Sequence, residues 1–272
     1  MDRHRGTNRA AVIAVAMAVV GAAGGCKAAR PAPRDMARFT RQQLFAALQP
    51  VTLANCELKR FGEAHDGGYL LCANLLDNVK AGYSYGISGY DGWGCDVATT
   101  LQVPVHQYDC FDTRRPACVA GTVFHAECVA TAPAEIDGRR FDAMANQMAA
   151  NGDRGAHVVV KMDVEGAEWD AFLTAPDDTL DRIDQLIVEL HGNGEPRFLQ
   201  AVSRLKGVFH VANLHMNNYA CTGGQAPFGA WAYEVLFVNK RIATAGAPRA
   251  TAFHGLDTPN TLVQPDCQVA AK

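Results

Sequence analysis

The chain lacks several features that would place it in a common functional class. Its 272 residues contain no stripe rich in lysine and arginine, and the formal net charge is -3, so no nucleic-acid partner is expected. No two cysteines have the C-x-x-C spacing of structural zinc sites. The G-x-G-x-x-G fingerprint is also missing, which counts against an NAD-binding domain.

An apolar segment long enough to span a bilayer comfortably is lacking too. The uncharged apolar stretch at residues 10–25 is shorter than the roughly 20 residues that such a span needs. It follows three arginines and ends in small residues before Cys26, like a bacterial lipobox. We therefore predict a targeting segment at residues 1–26, which makes the protein an exported lipoprotein anchored at Cys26, a protein with an uncleaved N-terminal membrane anchor, or one with a cleaved signal. Prolines predict an extended tether at 27–35, and residues 36–272 form the predicted domain.

The composition favours one well-packed domain. Hydrophobic residues make up 49% of the chain and charged residues 19%, which is enough apolar surface for a substantial core. The cysteines beyond the targeting segment permit disulfides in an oxidising compartment, although buried, unpaired cysteines are the alternative. Cys110 and Cys118 are the first pair to test, because only a short loop separates them.

Strand-like and helix-like segments alternate along the domain. A turn at Asp66-Gly67-Gly68 joins two short strands within residues 59–72. Five strand–helix alternations follow and predict a mostly parallel sheet covered on both faces, with an antiparallel pair at its end. The predicted strands of this sheet are 81–87, 103–108, 123–129, 158–162, 186–190, 209–214 and 232–238. The predicted helices are 36–48, 96–101, 141–150, 165–173 and 196–205.

The first candidate site is a glycine segment directly after a predicted strand. Gly86, Ser88 and Gly89 would lie at the carboxyl end of a parallel strand, where doubly wound sheets bind ligands. Glycines there let the backbone approach a ligand, although a plain tight turn would have the same residues. Asp109 ends the next strand and could accept hydrogen bonds from ribose hydroxyls, or could simply form a turn.

Three more strand ends carry polar residues. Glu127 and Cys128 lie near the end of the third strand, where an adenine ring would lie. Asp163 and Glu165 follow the buried strand 158–162, where carboxylates can orient a substrate, hold a cofactor's amino group or bind a divalent ion. His191 ends the fifth strand, two residues after Glu189 and on the same side, and such a histidine can accept a proton from an attacking hydroxyl.

The segment KMDVEGAEWDAF resembles the signature of the FkbM-like methyltransferases. The runs HDGGYLL, YSYGISG, QYDCFD, QLIVELH, VANLHMNN and WAYEVLFVN are similar to the same superfamily in order and spacing, over about residues 58–240, and the secreted or membrane-associated methyltransferase-like branch is the closest match. The resemblance implies a Rossmann-like methyltransferase fold with a seven-stranded sheet, and S-adenosyl-L-methionine as cofactor. By position it assigns Gly86 and Gly89 to the cofactor loop, Asp109 to the ribose, and Asp163 and Glu165 to the reaction edge.

The resemblance implies methyl transfer to a hydroxyl of a small molecule or glycan. His191 or Asp163 would remove the hydroxyl proton, Asp163 either directly or through a bound ion. No metal ligands are assigned. Two alternatives stay open: a non-catalytic binding lipoprotein that keeps the methyltransferase scaffold, and a metal-dependent hydrolase that uses Asp163, Glu189 and His191.

Overall fold

The computed structural model describes residues 33–117, 121–249 and 254–267. The predicted targeting segment at residues 1–26 lies outside these ranges. The β-strands are β1 (Val51–Leu53), β2 (Leu58–Gly62), β3 (Gly68–Cys72), β4 (Ala81–Tyr85), β5 (Val105–Tyr108), β6 (Thr122–His125), β7 (Glu127–Ala130), β8 (Ala134–Ile136), β9 (Arg139–Ala143), β10 (Val158–Met162), β11 (Ile183–His191), β12 (Phe209–Met216), β13 (Ala232–Asn239) and β14 (Ala245–Pro248). The α-helices are α1 (Pro33–Ala47), α2 (Gly92–Leu101), α3 (Met144–Ala150), α4 (Glu168–Thr174), α5 (Asp177–Arg182) and α6 (Pro196–Val208).

Seven strands form the main sheet, in the order β12-β13-β11-β10-β4-β5-β6. Parallel ladders join β6, β5, β4, β10 and β11, and β13 runs antiparallel between β11 and β12. This order confirms the predicted fold class, a Rossmann-like methyltransferase sheet with an antiparallel final hairpin. The chain moves outward from β4 to β6 and then crosses back to β10, so the carboxyl ends of β4 and β10 flank a topological switch point, where such sheets bind ligands.

The hydrophobic core lies on both faces of this sheet. Successive side chains of a strand point to opposite faces. On β10, Val158 and Val160 belong to one apolar cluster, whereas Val159 belongs to the other. Helices α1, α4 and α6 contribute to the first cluster, and α2 contributes to the second together with β2 and β3. The buried run of β-branched residues that predicted β10 is therefore explained by helices on both faces.

Several sequence predictions need correction. The single strand predicted at 123–129 is two strands, because the chain leaves the main sheet after His125 and β7 joins β8 and β9 in a separate three-stranded sheet. The helix predicted at 141–150 begins only at Met144, because β9 pairs with both β7 and β8. A turn at Asp137-Gly138, with positive φ at both residues, connects β8 to β9.

The helix predicted at 165–173 begins at Glu168, since Glu165 and Gly166 have φ of 54° and 104° and cannot be helical. At the other end of the chain, α1 begins at Pro33, inside the predicted tether, and proline is favoured at the first position of a helix. Among the residues that the structure describes, no helix is both long and apolar enough to cross a membrane.

The predicted disulfide pair also needs correction. Cys110 pairs with Cys128, and not with Cys118 as its short spacing suggested. The sheet brings this pair together, because the backbone N–H of Asp109 donates to the carbonyl of His125, next to β7. Cys56 pairs with Cys72 and Cys221 with Cys267, and Cys95 is disulfide-bonded as well.

Candidate functional site

A cavity of about 360 Å³ opens at the carboxyl ends of the central strands. Its wall includes Gly86 and Ser88 after β4, Asp109 after β5, and Asp163 after β10. These residues are far apart in the sequence and meet because parallel strands end at the same edge of a sheet. The volume is typical of a small-molecule site.

The turn after β4 requires glycine at position 86. Gly86 has φ of +71°, a conformation that residues with side chains rarely adopt. A Cβ atom added there would lie 1.6 Å from the carbonyl oxygen of Asp163, which is an impossible contact. The cofactor loop predicted at Gly86 is thus packed directly against the backbone of the predicted reaction edge.

Asp109 holds this loop in place. One carboxylate oxygen accepts hydrogen bonds from the backbone N–H groups of Ile87 and Ser88, at 3.1 and 2.8 Å. The other accepts from the N–H groups of Phe111 and Asp112, at 2.9 and 3.0 Å. All four lone-pair directions of the carboxylate are therefore used by the backbone, and a contact from Asp109 to ribose stays a prediction.

The other predicted cofactor residues divide into two groups. Cys128 lines the cavity as part of its disulfide with Cys110. Gly89 and Glu127 are not part of the cavity wall. The Glu127 carboxylate instead accepts a hydrogen bond from Gln147 at 3.0 Å and lies 3.3 Å from the guanidinium of Arg140.

An aromatic residue that was not among the predicted site residues also lines the cavity. Phe111 is 73% exposed although it lines the cavity, and the guanidinium carbon of Arg139 lies 4.7 Å from the centre of its ring. Val129 and Phe141 complete an apolar wall beside it. The sequence signal was only a phenylalanine two residues after the strand-end Asp109; its exposure, which lets the ring stack on a flat base, is visible only in the structure.

Asp163, Glu189 and His191 converge at the ends of β10 and β11. One ligand-capable atom from each lies within 4.8 Å of the others. His191 is held by Glu168, whose side chain has no exposed surface: its carboxylate lies 3.2 Å from Nδ1 and accepts the backbone N–H at 2.7 Å. The imidazole Nε2 faces carboxylate oxygens of Glu165, Asp163 and Glu189 at 3.5, 3.8 and 3.9 Å.

Burial and charge set the protonation of this cluster. Burial alone would lower the pKa of His191, but the hydrogen bond to Glu168 and the surrounding carboxylates outweigh it and raise the pKa to about 9. Burial raises the pKa of Asp163, against the opposing effect of Lys161 and His191. Burial also raises the pKa of Glu189 well above its usual range, and the charge of Asp163 adds to this effect.

The buried ammonium group of Lys161 connects the end of β4 with the end of β10. The Lys161 Nζ atom donates hydrogen bonds to the carbonyls of Tyr85 and Gly86, at 3.2 and 2.7 Å. It also lies 3.7 Å from a carboxylate oxygen of Asp163. The ends of β4 and β10 are thereby tied together.

A second, more open cavity of about 510 Å³ adjoins the first. Glu165 lines both cavities, and His191 and Arg41 line the second. Trp231 is 44% exposed, and the centre of its ring lies 5.8 Å from that of His191. The edge that carries His191 is therefore reachable from a space separate from the first cavity.

Comparisons with known proteins identify only remote structural likenesses. No protein-family model matches the chain, and no curated protein matches its sequence. One similar solved structure is the crystal structure of a fibrillarin/Nop5p complex, at 6% identity over 60% of this chain and 73% of the other, with a TM-score of 0.31. Another is a Methanococcus jannaschii fibrillarin pre-rRNA processing protein, at 11% identity over 69% and 84% of the two chains, with a TM-score of 0.36. These likenesses are too distant to bear on family or chemistry, and the resemblance to FkbM-like enzymes stays a prediction.

Proposed function

We propose that this chain is an S-adenosylmethionine-dependent methyltransferase that acts on a hydroxyl group of a small molecule or glycan. The observation that carries the proposal is the first cavity. It brings Gly86, Ser88 and Asp109 together with Asp163 at the switch point of a sheet with the strand order of Rossmann-like methyltransferases.

The residues of the cavity fit the cofactor. Phe111 and the apolar wall beside it suit an adenine ring, and the segment Gly86–Ser88 lets the backbone approach the ribose. Asp163 and Glu165 place carboxylates at the end of the cavity nearest His191, which suits the positive charges of a sulfonium and an amino group. When bound, the cofactor supplies an electrophilic methyl group.

The acceptor would enter from the second cavity. Trp231 does not line this cavity, but its partly exposed ring lies 5.8 Å from that of His191 and offers apolar surface nearby to a ring-shaped acceptor such as a sugar. His191 lines the second cavity and Asp163 the first, and the two side chains approach to 3.8 Å where the spaces meet. Asp163 would take the hydroxyl proton at neutral pH, whereas His191, whose pKa is raised to about 9, would take it only once the imidazole has lost its own proton. Glu168 would keep the imidazole of His191 in place. Separation of the cavities lets the acceptor be aligned with the donor from the opposite side.

The disulfides favour an oxidising compartment and support export as a lipoprotein anchored at Cys26. The cofactor is made in the cytoplasm, so the same disulfides also favour the second candidate, a non-catalytic binding lipoprotein. In that case the first cavity would bind another small molecule, and the four backbone contacts of Asp109 would be purely structural.

Calorimetric titration of the full-length chain with S-adenosylmethionine tests the proposal. We expect saturable binding of one molecule per chain. We also expect D163N and H191Q to reduce transfer from a methyl-labelled donor to a panel of sugars by about 100-fold or more, the usual contribution of a proton-accepting group. D177N is the matched control, because Asp177 is a surface carboxylate that is 92% exposed and lies on α5. Absence of donor binding would reject the enzyme and leave the binding lipoprotein.

A further inference from the structure

Two neighbouring strands bring together three side chains that can act as metal ligands. Asp163 follows β10, and Glu189 and His191 lie at the end of β11, the neighbouring parallel strand. Their ligand-capable atoms all lie within 4.8 Å of one another. Two carboxylate oxygens and one imidazole nitrogen at this separation can contact a single ion.

The environment of His191 is the independent observation that points to a ligand. The side chain is only 8% exposed, and its Nδ1 atom is fixed by the fully buried Glu168. The Nε2 atom makes no hydrogen bond with any residue in the described ranges and points at three carboxylates. A carboxylate on one ring nitrogen and an oriented, unbonded second nitrogen are typical of metal-binding histidines.

Glu189 is also buried and held by a neighbouring side chain. Its side chain is 6% exposed, and Asn217 donates a hydrogen bond to one carboxylate oxygen at 2.7 Å. Within the described residues this is the only hydrogen bond of the Glu189 carboxylate. Since buried carboxylates are costly unless they are paired or coordinate a cation, a second ligand for Glu189 would be stabilising.

We propose that Asp163, Glu189 and His191 bind one divalent transition-metal ion. Mixed carboxylate and imidazole ligands suit Mn²⁺, Fe²⁺ or Zn²⁺ better than Mg²⁺ or Ca²⁺, which prefer oxygen alone. Three protein ligands leave positions open, and the ion would there bind the acceptor hydroxyl and ease the loss of its proton. Only this last role rests on the proposed methyltransferase function; the binding of the ion does not.

The test titrates the full-length, chelator-treated chain with Mn²⁺ and follows the free ion by electron paramagnetic resonance. We expect one saturable site per chain. We expect about 10-fold weaker binding or more in each of D163N, E189Q and H191Q, and about the same loss in E168Q, which removes the charge that orients the histidine. D177N removes a carboxylate outside the cluster and should bind Mn²⁺ like the parent chain.

Thermal unfolding of every variant shows that it is folded before its affinity is compared. Mn²⁺ binding that is absent up to millimolar concentration, or that is equal in the parent chain and H191Q, overturns the proposal. Calorimetry with S-adenosylmethionine on the same samples separates the two hypotheses. Metal binding without donor binding rejects only the methyltransferase, and donor binding without metal binding rejects only the metal site.

Discussion

Replacement of Gly86 by alanine should damage both the fold and the first cavity. Gly86 and Gly152 both have positive φ, +71° and +89°, so alanine costs roughly 1 kcal/mol of backbone strain at either position. At Gly152 nothing lies within 4 Å of the new Cβ atom, whereas at Gly86 it would lie 1.6 Å from the carbonyl oxygen of Asp163. Relief of that overlap adds roughly 2 kcal/mol, the usual cost of overpacking.

Thermal unfolding should therefore place G152A about 3 °C below the parent chain and G86A roughly 10 °C below it, given the usual slope for a domain of this size. Since the overlap is relieved by moving Asp163 and the cavity wall, G86A should also bind S-adenosylmethionine at least about 10-fold more weakly, while G152A binds it normally. Equal stability and equal donor affinity in the two variants would refute the reasoning.

Three further outcomes follow from contacts near the first cavity. F111A should weaken donor binding about 10-fold, the effect of one lost base-stacking contact, with little change in melting temperature because Phe111 is 73% exposed. Replacement of both Cys110 and Cys128 by serine should lower the free energy of unfolding by about 3 kcal/mol, from the loss of an 18-residue loop closure, as denaturant titration would measure; an unchanged midpoint would contradict this. Burial lowers the pKa of both His106 and His125 below 6.5, so the unfolded chain binds protons that the folded chain rejects. These two histidines should therefore destabilise the fold as the pH drops from 6.5 towards 5, and H106Q/H125Q should lose less stability, or gain more, than the parent chain over that interval.

The sequence predicted the parallel sheet well, because its strands are short apolar runs that end in polar residues. Val158–Met162 was predicted to the residue, since a β-branched run before Asp163 fits only a buried strand. The separate sheet of β7, β8 and β9 was missed. Its strands are partly exposed and are defined by pairing across the chain, although the turn at Asp137-Gly138 was a visible hairpin signal.

The candidate site, too, could be predicted from the sequence only in part. Asp163 and His191 could be predicted to approach each other, because the ends of parallel strands lie at one edge. The use of Asp109 by four backbone N–H groups could not be predicted, since it depends on the path of two loops. The partner of Cys110 was missed because sequence spacing says nothing about which strand lies alongside.

The position of Lys161 has a consequence for how the protein responds to its surroundings. Mobile ions screen charges at the surface far more than charges that are sealed from solvent. The Lys161 side chain is 7% exposed, so its hydrogen bonds to the carbonyls of Tyr85 and Gly86 should change little between dilute and concentrated salt. The spacing between the ends of β4 and β10 should thus stay constant when the ionic strength of the medium varies.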